Sequence, residues 1–475
     1  PCAGRRDRCS EYLMQRLLSF LQPRMDLNAE PHDGTPLTVA GLFAGIGGIE
    51  SGLHSAGHSS SLLCEIEPAA REVLKTRFPG VALHDDVTTL RHLPAGTNLL
   101  AAGFPCQDLS ISGRRQGITG SRSSLVSHVF RLLDESRDQL RWLLLENVPF
   151  MLKLDSGGGM RYLIDELESR GLYWAYRVVD TRSFGLPHRR HRVVVLASSR
   201  HAPWDVLLSN DSGHEPSADG PDARLHGFYW TEGNRGIGWS VETCPPLKVG
   251  SGLGIASSPA TWDAESGEIR KIDIRDAERL QGFPVDWTKP AECVERPSAR
   301  WKLVGNAVSV PLGAWLGSQL RNPRRYDWSS DQALEHEEPW PDAAYGGKGE
   351  AYRSSVSAWP VSQPLTPLRD FLQFPGDPLS TRAAAGLLYR IQKGTTNISN
   401  EFERDLQNMS QQEELRLKKK ALEGLHVRIE SLTRMAREAS QFAEQVRLNE
   451  EVQSLRFEAK SMQNEIEELA HADTV

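Results

Sequence analysis

A cysteine able to act as a nucleophile sits in AAGFPCQDLSISG, residues 101–113. Cys106 follows an apolar run, and its neighbours Pro105 and Gln107 are not core residues. A thiolate is a strong nucleophile, but a free thiol has a pKa of ~8.5 and needs activation by its surroundings. Most lone cysteines are simply packed in a core. The end of a buried strand, however, is where open α/β sheets bind ligands. LLLENVP (143–149) ends another apolar run on Glu146 and Asn147. A carboxyl group there costs burial energy unless it binds something, so Glu146 is a substrate ligand, a helix cap or half of an ion pair. RSFGLPHRRHRVVVL (182–196) gathers Arg182, Arg189, Arg190 and Arg192 with His188 and His191 just before a further run. That cluster suits phosphate contact, or a solvated loop.

A second kind of chemistry is written in LFAGIGGIE (42–50). Glycines between a strand and a helix allow a tight turn and close backbone approach to a ligand. Gly45, Gly47 and Gly48 form G-x-G-G, which is not the dinucleotide pattern G-x-G-x-x-G. The next run ends in CEIE, with Glu65 placed to bind ribose hydroxyls, and HDDV follows, with Asp86 able to meet an adenine amino group. Alone, the turn is almost equally consistent with a structural role. Acids at both following strand ends favour a nucleoside cofactor.

These residues need elements to position them. Apolar runs recur at 37–43, 61–66, 98–103, 142–147, 174–179 and 192–197, and most are continuously apolar, as strands buried on both faces should be. Segments such as 67–78 and 160–171 have helical spacing between them. The pattern predicts an α/β fold with a mostly parallel sheet. Residues 200–270 are rich in Gly, Ser, Asp and Pro and predict a smaller domain of loops and short strands. Helical signals return at 275–283 and 306–320.

The chain has 475 residues and a net charge of −7, which argues against nucleic-acid binding until it is divided. Residues 37–325 carry 33 basic and 32 acidic side chains, against 17 and 25 in residues 326–475. The acidity lies in the tail, and the body is free to carry a basic face. Six cysteines without a CxxC pair exclude a disulfide scaffold and a Cys-rich zinc site; no metal is expected, and a reducing cytoplasm fits. No run approaches the ~20 apolar residues of a membrane span, and no signal peptide is visible. The chain does not begin with Met, and Met25 offers a second start. Residues 323–400 read as a linker or a docked extension. In 401–470, Leu422, Leu425, Ile429 and Leu432, then Val452, Leu455, Ala459, Met462, Ile466 and Leu469, step by three and four, with Met435, Ala439, Phe442 and Val446 out of phase between them. The expectation is one long coiled-coil helix that makes a homodimer or recruits a partner, or a helix packed back on its own body.

FAGIGG, GFPCQ, ENVP, PHRRHR, RDAERLQGFP and GNAVSVPLG occur in that order. Together they closely resemble the cytosine-C5 DNA methyltransferase family of bacterial type, over roughly residues 37–320, about 60% of the chain. The resemblance implies a doubly wound, Rossmann-like methyltransferase domain at 37–198, completed by 300–320, and a small mixed target-recognition domain at 199–299. Residues 1–36 would be an N-terminal extension, 321–400 the linker or docked extension and 401–470 the coiled coil. It implies S-adenosyl-L-methionine as cofactor, held by Phe43, Gly45 and Gly47, with Glu65 on the ribose, Asp86 near the adenine and Asn306 closing the site. Cys106 would attack C6 of a flipped cytosine, Glu146 would hold N3 and the exocyclic amine, and Arg192 would lie near the ring. The C5 proton would leave to a base, usually assigned to water, that this sequence does not name. Gln107, Arg114, Arg115 and Arg122 on the loop after the nucleophile, with Arg189 and Arg190, would contact double-stranded DNA. Two residues depart from the family: His188 stands for its usual glutamine and His191 for its usual glutamate, which suggests pH sensitivity near neutrality. The short recognition region suggests a short target. A restriction or phage-defence setting and a bacterial, nucleoid-associated location are family expectations. The alternatives are a tRNA cytosine-C5 methyltransferase, from one branch of the family, and an inactive DNA-binding scaffold.

Overall fold

The structure, a computed structural model, describes residue 29 and residues 32–105, 125–216, 224–249, 258–335 and 338–472. The chain opens with β1 (Thr38–Leu42), α1 (Gly48–Ser55), β2 (Ser59–Cys64), α2 (Pro68–Arg77), β3 (Ala82–His84), β4 (Leu99–Ala102), α3 (Leu125–Glu135) and β5 (Trp142–Asn147). Then come α4 (Gly158–Ser169), β6 (Tyr173–Asp180) and β7 (His191–Ser198). These strands form one side of a sheet ordered β6-β7-β5-β4-β1-β2-β3. From β5 to β3 every pair is parallel, whereas β7 runs antiparallel to both β5 and β6. The expected mostly parallel sheet is therefore parallel in one half only. The cause is connection length: parallel neighbours need a crossover of about a dozen residues or more, and only residues 181–190 join β6 to β7.

The core lies on both faces of this sheet. Ala40, Leu42, Leu100, Leu143 and Leu145 face α3 and α4, packing on Val129, Phe130, Leu163 and Leu167. Val39, Leu99, Ala101 and Leu144 face Ile49 and Leu53 of α1 and Leu312, Trp315 and Leu316 of a late helix. That helix (Val310–Arg321) approaches α1 so closely that a Cβ on Gly52 would lie 2.4 Å from Val310 O.

A second, four-stranded antiparallel sheet holds β8 (Leu225–Phe228), β9 (Ser240–Val241), β10 (Ala260–Asp263) and β11 (Ile269–Lys271), ordered β11-β10-β8-β9. Both its faces are covered. Leu225 packs with Cys244, Leu247, Ile272, Leu280 and Val304, toward the larger lobe. Phe228, Trp262 and Ile269 pack instead on Leu387, Ile391, Phe402 and Leu406 from the C-terminal region. The helix Pro203–Leu207 packs on the larger lobe, where Trp204 and Val206 join Tyr173 and Tyr345.

Residues 321–400 divide between the two lobes. β12 (Gln332–Ala333), β13 (Ala343–Gly347) and β14 (Glu350–Arg353) extend the main sheet, β13 pairing antiparallel with β6. The guanidinium of Arg177, fully buried on β6, donates to Ser357 O at 2.8 Å, Leu207 O at 3.2 Å and Asp211 Oδ1 at 2.6 Å. The helix Thr381–Lys393 then covers the small sheet.

The single long helix expected at 401–470 is two helices, Asn400–Glu438 and Phe442–Ala472. They fold back on each other through Leu415, Leu422, Leu425, Ile429, Ala459, Met462 and Ile466, with ion pairs Lys418–Glu465 (2.7 Å) and Arg428–Glu451 (2.9 Å). The seam expected to meet a second chain is filled by the chain itself. None of the described helices is long and apolar enough to cross a membrane.

Candidate active site

A cleft of about 830 Å³ opens at the carboxyl ends of β1, β2, β4 and β5. The ligand position of an open α/β sheet is of this kind. At one end lies the turn after β1. Phe43, Gly45 and Gly47 have φ of 54°, 57° and 82°, left-handed values that glycine adopts without strain and phenylalanine does not. A Cβ added at Gly45 would meet nothing within 4 Å, so the backbone lies bare toward the cleft. At Gly47 a Cβ would lie 2.3 Å from the Phe78 ring. Gly47→Ala should therefore lower the urea midpoint more than Gly57→Ala, since Gly57 shares the positive φ (89°) but has no atom within 4 Å. Equal losses in the two variants would mean that contact with Phe78 plays no part.

Glu65, at the end of β2, accepts from Gly45 N at 2.7 Å and Glu67 N at 2.8 Å. Burial raises its pKa against the pull of those two N–H groups. The carboxylate thus fixes the glycine turn and still borders the cleft. Asp86 also borders it and is held below the ordinary carboxylate range by the backbone N–H of Thr88, at 2.8 Å. Ile66, between the two acids of CEIE, was missed by the sequence reasoning. It is 69% exposed in the cleft wall, an apolar surface that suits the flat face of a nucleobase. Asn306 lies on the same wall. An ion pair between Lys302 and Glu67 (2.5 Å) joins two further lining residues. Bare backbone, a paired acid and an apolar plate fit a nucleoside ligand of the class expected.

At the other end, Glu146 closes β5. Arg192, at the start of β7, places Nε 2.6 Å from Glu146 Oε1. Burial raises the Glu146 pKa, opposed by Arg192 and Arg190. Asn147 donates to Phe104 O at 2.9 Å and so pins the chain two residues before Cys106. Cys106, Gln107, Arg114, Arg115 and Arg122 lie outside the described residues. The described chain stops at Pro105, on the cleft wall. Cys64 also borders the cleft, but burial pushes its thiol up to about 12, which suits a core residue and not a nucleophile.

The arginine-rich segment divides by strand alternation. Arg189 is exposed, its Nη1 donating to Trp239 O at 3.1 Å. Arg190, expected beside it among the phosphate contacts, is instead buried. It donates to Leu247 O (3.1 Å), Gly305 O (3.0 Å) and Ala307 O (2.6 Å), and is a brace between lobes. His188 is buried too, and burial followed by Arg190 drives its pKa well below the ordinary value. That direction runs against the neutral-range titration expected of His188. His191 lies 2.9 Å from Asp180, whose carboxyl, despite burial, is held down to about 2 by His191 and Arg182. The period of two in an extended segment was the available signal for this inward and outward division.

The family model described as C-5 cytosine-specific DNA methylase matches residues 37–218 and 226–322. This chain belongs to that family. As a C-5 cytosine-specific DNA methylase, the enzyme is 47% identical over 380 residues to the Type II methyltransferase M2.BsuMI of Bacillus subtilis (strain 168), a match covering 77% of this chain and 96% of that protein. It is 29% identical over 303 residues to M.BsuFI of Bacillus subtilis, covering 59% of this chain and 71% of that one. To M.NgoBI of Neisseria gonorrhoeae it is 30% identical over 301 residues, covering 57% and 89%. The methylase is a transferase acting on cytosine in DNA, and the cleft of an α/β sheet is its candidate centre.

Proposed function

We propose that this methylase transfers the methyl group of S-adenosyl-L-methionine to C5 of a cytosine flipped out of a short duplex DNA sequence. The large lobe, 37–198 completed by 300–320, would bind the cofactor and carry the chemistry, and the small sheet would read the DNA. The cofactor supplies an electrophilic methyl group. Phe43, Gly45 and Gly47 cradle it, Glu65 takes the ribose, Asp86 and Ile66 take the adenine, and Asn306 borders the same wall. The Cys106 thiolate adds to C6 of the cytosine, and the ring's electron density moves to C5. Glu146 stabilises that charge by holding N3 and the exocyclic amine, and Arg192 orients Glu146. C5 would take the methyl group, leaving S-adenosyl-L-homocysteine; a base, which the family usually assigns to water, would then take the C5 proton, and the electrons of that C–H bond re-form the C5–C6 double bond and expel the Cys106 thiolate. Arg189, with Gln107, Arg114, Arg115 and Arg122, offers the contacts to phosphate that offset flipping, which costs a few kcal/mol.

The observation that carries this reading is the buried Glu146–Arg192 pair, set in one cleft with Glu65 and Asp86 and beside the residues that lead into Cys106. The relatives named as Type II methyltransferases support a modification role at one short sequence. Bisulfite sequencing of DNA from a methylation-free host tests it. Wild type should protect cytosines within a single short motif, and Cys106→Ala should protect none while still binding the cofactor. Equal conversion of both DNAs, with both proteins folded, would reject the proposal and direct the assay to tRNA.

A further inference from the structure

We propose that His188 is a positioning residue whose two ring nitrogens set the Leu247–Val249 wall of the cleft against Arg190, Arg192 and Glu146. The inference rests on the function proposed above. In the extended segment leading into β7, His188 and Arg190 are buried and Arg189 is exposed, while His191 and Arg192 are half-buried. His188 is 0% exposed. Its Nδ1 lies 3.0 Å from Leu280 O, and its Nε2 lies 3.1 Å from Leu247 N. A carbonyl only accepts and a backbone N–H only donates, which fixes the tautomer: Nδ1 carries the proton and Nε2 is bare.

The partner residue makes the arrangement specific. Leu247 is held at its N–H by His188 and at its carbonyl by Arg190 Nη1, at 3.1 Å. Backbone bonds from Arg189 N to Cys244 O (2.9 Å) and Cys244 N to Pro187 O (2.6 Å) run alongside. Leu247, Lys248 and Val249 all line the cleft, as do Arg190, Arg192 and Glu146. One short segment therefore sets both the cytosine-side charges and the wall that faces them. The charged groups acting on His188 are Arg190 and Arg192 of its own segment and Asp180 at the end of β6. The α-helix Ile274–Leu280 presents a carbonyl to it, and residues 244–249 present an N–H. A second ring proton would set Nε2–H against Leu247 N–H, with two arginines nearby.

Glutamine offers one donor and one acceptor at similar reach, whereas asparagine is shorter by a methylene and cannot span both partners. The test compares the full-length wild type with His188→Gln and His188→Asn. At pH 8, kcat/KM for methyl transfer to DNA should stay within about threefold of wild type in the glutamine variant and fall about tenfold or more in the asparagine variant, which leaves a buried group unpaired. The second readout is the urea midpoint at pH 8 and pH 5.5. A histidine kept neutral by the fold binds its proton first in the unfolded chain, so this contribution to stability declines as pH drops through ~6.5. The wild-type midpoint should thus fall further than that of His188→Gln. Equal activity of the two variants, or parallel midpoints in wild type and His188→Gln, overturns the inference. A folded wild type that leaves DNA unmethylated overturns the proposed function instead, and the midpoints still decide the histidine bridge.

Discussion

Glu146→Ala is expected to lower kcat/KM for DNA methylation by roughly 10²–10⁴-fold, the range for loss of a positioned acid–base group, and to destabilise the fold as well. Arg192 lies against the Glu146 carboxylate, and Arg190 is close enough to shift its pKa. Removing the carboxylate leaves the buried Arg190 and the half-buried Arg192 without that negative charge. Breaking one side of a buried pair costs ~3–5 kcal/mol. Glu146→Gln separates the two effects, because the amide keeps the shape and a carbonyl acceptor for Arg192 but cannot stabilise charge on the ring in the same way. The glutamine variant should lose less stability than the alanine variant, by urea midpoint, while losing methyl transfer to a similar extent. A glutamine variant within about threefold of wild-type activity would remove Glu146 from the chemistry.

Ending the chain after Asn322, at the edge of the family match, should give insoluble protein. The cut removes β12, β13 and β14 and bares the edge of β6. It also removes Ser357, one of the acceptors of the buried Arg177, and uncovers Phe228, Trp262 and Ile269 of the small sheet. Burial of each such side chain is worth ~1.5–3 kcal/mol. Ending the chain after Lys420 is expected to be tolerated, since Phe402, Leu406 and the contact of Trp262 Nε1 with Asp405 (2.9 Å) remain. Soluble yield, elution volume and bisulfite protection of the two products, side by side, check this. An active, soluble product ending at Asn322 would show that the C-terminal half of the sheet edge and the covering helices are dispensable.

The sheet was legible where its strands are buried on both faces. The runs at 142–147 and 192–197 need no context to read as strands, because every residue between Trp142 and Asn147 is buried. AAYGG, the strand β13, was not legible: it is short and rich in glycine and alanine, and its partner β6 lies far back in the chain. The direction of β7 was hidden by the same run pattern, and only the short 181–190 connection distinguishes it. In the tail the phase slip at Met435, Ala439 and Phe442 was visible but read as an irregularity within one helix. The break at residues 439–441 falls there, and the two seams on either side are partners of each other. At the site, the Gly-rich turn and the acids of CEIE and ENVP were legible because motif order carried them. Ile66 and the Leu247 wall were not, since an exposed isoleucine and a backbone N–H leave no mark in residue type.

The long-range stitching of the larger lobe has a consequence for how this chain is made. Trp287 Nε1 bonds Ile46 O, His58 Nε2 lies 3.0 Å from Gly317 O, and β6 pairs with β13. Such contacts join residues separated by as many as 259 positions. Proteins dominated by distant contacts fold slowly, because the loop entropy is lost before the contacts form. At ribosomal rates of roughly 5–20 residues per second, β6 leaves the ribosome about 10–30 s before β13 exists. During that interval the nascent sheet has an open, hydrogen-bonding edge, and the small sheet has a bare aromatic face. Slower synthesis lengthens the interval, and chaperones that mask strand edges and apolar faces act within it, so recovery of native enzyme depends on the rate of translation as well as on final stability.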